Sequence, residues 1–93
     1  MSETLNSRQR LIKSILFRSN YRGGKEADLI LGGFARQQAA HLEQEHLVQF
    51  AQLLTHDDSD IFAWLDDLKP HPSFLGQSLI QQINKYKETM RTS

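Results

Sequence analysis

Four histidines, five clustered aspartates and a glycine pair beside a lysine are the residues of this 93-residue chain that invite a chemical reading. HLEQEH, holding His41 and His46, runs His-x-x-x-Glu-His, one residue longer than the inverted zincin spacing. A five-residue gap sets the two rings about 140° apart on a helix, so they cannot share a metal; His56 and His71 stand alone. Asp57, Asp58, Asp60, Asp66 and Asp67 match a calcium loop only in composition, lacking its central glycine and twelfth-position glutamate. First-turn carboxylates favoured by a helix dipole account for the first three of them. GGK, Gly23 to Lys25, lacks the first glycine and the Ser/Thr of a phosphate loop, and no strand precedes it. With no cysteine and no Ser–His–acid pattern, no nucleophile is available. The chain therefore reads as a non-enzyme, with no catalytic, metal or cofactor-binding residue.

A different chemistry gathers at NYRGGKEADL, Asn20 to Leu29. Gly23-Gly24 alone reads as a cap between antiparallel helices. The ions around the pair, Arg22, Lys25, Glu26 and Asp28, are more than a cap requires. A guanidinium and a carboxylate beside backbone without side chains are what a protein needs to press closely on a partner.

Helices must position that corner. Leu5, Leu11, Ile12, Ile15 and Leu16 recur at helical spacing, opposite Arg8, Arg10, Lys13 and Ser14, in a helix predicted to end near Asn20. Ala27, Ile30, Leu31 and Phe34 form a second stripe. Within it Gly32 and Gly33, each costing about 1 kcal/mol relative to Ala, mark a close helix approach or an irregularity. The third stripe is Leu47, Phe50, Ala51 and Leu54, with Glu43 and Glu45 in its first turn. Asp58 is predicted as N-cap of a fourth helix carrying Asp60, Phe62, Trp64, Leu65 and Leu68, closed by Pro70 and Pro72. Ser73 is predicted to cap a fifth, with Leu79, Ile80, Ile83 and Tyr86 inward. No strand pattern competes. The expected fold is all-α, a compact five-helix bundle forming one domain over residues 1–93.

Composition agrees with that scale. Hydrophobic residues are 39%, charged residues 24% and mean hydropathy is −0.52. No apolar run approaches the ~18 residues of a membrane span, and the basic, amphipathic N-terminus reads as the first core helix rather than a presequence. A bacterial cytoplasmic protein without membrane insertion is expected. Net charge is zero but segregated: +5 over residues 1–25, −8 over 26–68 and +3 over 69–93. That pattern suits either docking in one orientation or helices folding back with opposite charges facing. Nucleic-acid binding through Arg8, Arg10, Lys13 and Arg18 is opposed by a pI near 6.9 and by Glu26 and Asp28 opening the second helix.

Arg22-Gly23-x-x-Glu26 matches the RGxxE signature of the SdhE-like flavinylation factors of succinate dehydrogenase and their mitochondrial counterparts. ILFRS, Ile15 to Ser19, resembles the family's lead-in, EADLILGGF its ELDLLLGRF-type second helix, and DDSDIFAWL, Asp57 to Leu65, its DxPDxxxWL segment. Order and spacing agree over roughly residues 10–68. The resemblance implies a five-helix assembly factor that binds the flavoprotein subunit of succinate dehydrogenase, or of fumarate reductase, and promotes covalent attachment of FAD to a client histidine. It implies that Arg22, Gly23 and Glu26 contact the client, with Arg18, Gly24 and Asp28 as neighbours. It further implies a monomer that acts on the client's FAD and holds no cofactor stably itself. Trp64 matches the later motif and reads as a core aromatic. Tyr21 and Gly24 depart from the family's usual basic residue and Met, which leaves the preferred client open. The competing reading is a generic helical interaction module, using basic helix one on nucleic acid.

Overall fold

The structure, a computed structural model, describes residues 6–20 and 22–92. Leu5, placed above on the first stripe, and Tyr21, a departure from the family pattern, lie outside the described residues. Helix α1 spans Ser7–Arg18 and opens on a capping box: the Asn6 side chain accepts from the Gln9 backbone N–H, and the Gln9 side chain accepts from that of Asn6. It ends two residues earlier than predicted, with Ser19 as C-cap donating its backbone N–H to the Ile15 carbonyl.

Helix α2 covers residues 25–38 in three parts: α-helical Lys25–Ala27, a wider π-turn at Asp28–Gly32, and α-helical Gly33–Gln38. The glycine pair is thus both an irregularity and a close approach. A Cβ on Gly32 would lie 3.1 Å from the Ser19 carbonyl oxygen of α1, and one on Gly33 would overlap the Tyr86 hydroxyl. The predicted stripe Ala27, Ile30, Leu31 and Phe34 is buried throughout.

After a short 3₁₀ turn, Ala39–His41, helix α3 spans Gln44–Leu53 and helix α4 spans Asp58–Leu65. Glu43, expected in the first turn of α3, is its N-cap; the predicted cap of α4 moves by one residue to Asp57, and Asp58 occupies the first turn. Helix α4 also stops before the prolines. Asp67, at φ 60°, closes it in a Schellman arrangement: Leu68 donates to the Ala63 carbonyl and Asp67 to that of Trp64. Leu68, placed on this helix by the sequence, falls beyond its end and is 76% exposed.

Helix α5 spans Gln77–Thr92, so Ser73 is not its cap. Leu75 is pulled into the core and Phe74 stacks on His56, while the Gly76 N–H is held by Gln49 Oε1 at 3.0 Å. These tertiary contacts outweigh the local capping preference of a serine. On α5, Leu79, Ile80 and Ile83 are buried and Tyr86 is half-buried; Lys87 is buried too, its ammonium 2.8 Å from Asp66.

The five helices enclose one core built around Phe34, Phe50, Leu47, Ile61, Leu79 and Ile83, with Phe34 edge-on to both Phe50 and Tyr86. Among the described residues no strand occurs, and no helix is long and apolar enough to cross a membrane. Ion pairs Arg22–Asp58, Lys69–Asp60 and Lys87–Asp66 each join a basic outer segment to the acidic middle one. Part of the charge segregation is therefore satisfied inside the fold.

Candidate functional site

The corner between α1 and α2 divides into an inward half and an outward half. Arg22 belongs to the first. Its Nε donates to Asp58 Oδ1 at 2.6 Å, Nη1 to the Arg18 and Leu54 carbonyls at 3.1 and 2.9 Å, and Nη2 to the His56 carbonyl at 2.6 Å. Four of its five side-chain N–H groups are thus engaged within the chain. The acceptors explain the position: Arg18 closes α1 and Leu54 is the C-cap of α3, so the cation sits where two helix dipoles end and carbonyls lack helical partners. Asp58, in the first turn of α4, supplies the anion where that helix's dipole favours one.

Asp28 is a second brace, its Oδ1 accepting the Arg22 backbone N–H at 2.9 Å. The sequence suggested that Arg22 and Asp28 face a partner. The structure places the Arg22 guanidinium on the α3–α4 turn and the Asp28 carboxylate on the Arg22 backbone, within the corner itself.

Gly23, Glu26 and Arg18 form the outward half, all exposed. Glu26 makes no hydrogen bond or ion pair with any described residue. Gly23 adopts φ +93°, a conformation L side chains rarely take, and a Cβ there would meet nothing within 4 Å. Its bareness is therefore required by the turn, and leaves open backbone facing outward. Gly24 is the N-cap of α2, where a Cβ would stand 4.0 Å from Asp58 Oδ2.

A hydrophobic residue that sequence reasoning left out adjoins this half: Phe17, in the last turn of α1, is 75% exposed. Its place outside the stripe of Leu11, Ile12, Ile15 and Leu16 was the available signal. Trp64 packs at the edge of the core, edge-on to His56 at 5.1 Å.

Arg8, one of the bases considered for nucleic acid, is occupied. Its guanidinium donates to the Leu42 and Ala40 carbonyls and to Gln44 Oε1, bracing the connection between α2 and α3.

The model of the family described as flavinator of succinate dehydrogenase matches residues 13–87, taking in the whole corner and the α3–α4 turn that braces it. The chain belongs to this family. Among relatives of the flavinator family, succinate dehydrogenase assembly factor 2, mitochondrial, of Cryptococcus neoformans is 33% identical over 73 residues, 77% of this chain and 42% of that protein. The same-named factor of Yarrowia lipolytica is 33% identical over 98 aligned positions, 96% of this chain and 65% of that one. The FAD assembly factor SdhE of Acetobacter pasteurianus is 33% identical over 81 residues, 87% of this chain and 72% of that protein. The chain spans about half the length of the mitochondrial relatives it matches.

Proposed function

We propose that this chain is an assembly factor that binds the flavoprotein subunit of succinate dehydrogenase and promotes covalent attachment of FAD to it. The flavoprotein of fumarate reductase is a second client of the same chemistry. What carries the reading is the outward half of the corner, Gly23 and Glu26, lying within the region matched by the flavinator family and held by an arginine engaged inward.

The bond in question joins a client histidine nitrogen to the 8α carbon of the isoalloxazine ring. It replaces a methyl C–H, and the two electrons released reduce the flavin ring, so client and cofactor balance the bond-forming step between them. The factor contributes no reacting group and holds no flavin stably. It favours the client conformation in which histidine and flavin reach near-attack distance, which binding can do only by preferring that conformation. Gly23 admits the partner's backbone, and Glu26 fixes register by charge-assisted hydrogen bonds. Arg22 and Asp28 hold the corner in shape.

Co-expression of the client subunit with the factor, followed by in-gel flavin fluorescence of the denatured client, tests this. Wild type should give a bright client band and Glu26→Lys a dim one. Because Glu26 has no hydrogen bond or ion pair with a described residue, the variant should lose only the small first-turn dipole contribution and melt within a few degrees of wild type. A band no brighter with wild type than without it would refute the reading.

A further inference from the structure

Beside the corner lies an open depression of about 410 Å³, lined by Asn20, Lys25, Asp28, Leu29 and Arg36. Along the π-turn at Asp28–Gly32, Ile30 and Leu31 face the core while Leu29 stays outside, 47% exposed, as an apolar wall.

Gly32 leaves room for a cation. A Cβ there would stand 3.2 Å from Arg36 Nη1 and 3.5 Å from Asn20 Oδ1, so the bare backbone lets the Arg36 guanidinium lie across the turn without shifting. Arg36 Nη1 donates to Asn20 Oδ1 at 3.1 Å, and Asn20 Nδ2 is anchored on the Leu16 carbonyl at 2.8 Å. One guanidinium donor is used; the others have no acceptor among the described residues. Lys25 is likewise exposed without an ion pair to a described residue. The one acid lining the depression, Asp28, already accepts the Arg22 N–H. Two cations, one oriented by an asparagine, thus flank an exposed leucine.

We propose that this depression is a subsite of the docking surface that receives an aspartate or glutamate side chain of the client, with a neighbouring apolar residue of the client against Leu29. The inference rests on the proposed function and adds to it the chemistry of a client residue. Arg36 supplies a planar fork suited to bidentate carboxylate pairing, and Lys25 a second, point charge in the same lining.

The test is titration of the purified flavoprotein subunit of succinate dehydrogenase with wild type, Lys25→Glu, Arg36→Glu and Arg36→Lys. Both charge reversals should weaken binding about tenfold or more, and added salt should weaken wild type more than either reversal. Arg36→Lys should fall between, keeping the charge and losing the fork. The Lys25 side chain makes no hydrogen bond or ion pair with a described residue, so Lys25→Glu keeps the test valid even if Arg36→Glu disturbs Asn20. Reversals that bind like wild type would overturn the subsite and leave the assembly-factor reading standing. A free chain that dimerises, and loses that dimer on Lys25→Glu, would overturn it in favour of a second copy as occupant. If wild type does not bind the subunit, both inferences fall.

Discussion

Arg22 and Asp58, 36 positions apart, meet at 2.6 Å with their side chains only 11% and 29% exposed, and this pair closes the α1–α2 corner onto the α3–α4 turn. Truncation would strand the Leu54 and His56 carbonyls as well as the aspartate. Arg22→Ala should therefore lower unfolding free energy by about 3 kcal/mol. Arg22→Lys, which keeps the charge but cannot span four acceptors, should lose less. Urea unfolding measures both, and an Arg22→Ala variant as stable as wild type would remove the brace. Lost client flavinylation in that variant reports the corner's shape rather than a missing contact.

Asp67 holds the C′ position of α4 at φ 60°, where a Cβ is disfavoured by about 1–2 kcal/mol. Asp67→Gly should raise stability by roughly 1 kcal/mol, less the greater freedom glycine gives the unfolded chain. The same denaturant midpoint reports it. A loss of stability would mean that the aspartate contributes something beyond its backbone conformation.

Residues three and four apart carried the legible part of the fold. Ala27, Ile30, Leu31 and Phe34 announce a buried face by spacing alone, and glycines at 32 and 33 are costly enough in a helix to need a reason. What stayed illegible is what whole helices between them bring together. The acceptors of Arg22 on the α3–α4 turn lie 32 to 36 residues away, so an arginine next to glycine looked like a surface ion when it is an internal strap. Ser73 failed as a cap for the same reason, since burial of Leu75 decides where α5 begins. A one-residue shift at Asp57–Asp58 turned a supposed cap into the strap's counter-ion. At the candidate site, RGxxE located the corner; which of its residues face outward required the rest of the chain.

Gly33 and Tyr86 form a contact between α2 and α5 that can be dissected. A methyl at position 33 would overlap the phenol oxygen and come within 3.1 Å of the ring carbon bearing it. Gly33→Ala should destabilise by about 1–3 kcal/mol, the usual cost of overpacking. Tyr86→Phe removes the oxygen, so the double variant should recover part of that loss. A coupling energy indistinguishable from zero in the double-mutant cycle would show that the helices simply move apart.

Gly23 separates conformation from contact. Its φ of +93° penalises any L residue, yet the space around it is open, so Gly23→Ala should cost about 1 kcal/mol for backbone reasons alone. D-alanine introduced by semisynthesis accepts a positive φ while adding the same methyl. Its stability should match wild type. If the client's backbone comes close at this point, the D-alanine protein should nonetheless bind the flavoprotein subunit more weakly and support less flavin attachment. Undiminished attachment would confine the glycine's role to the turn and leave Glu26 and the adjoining depression as the contact.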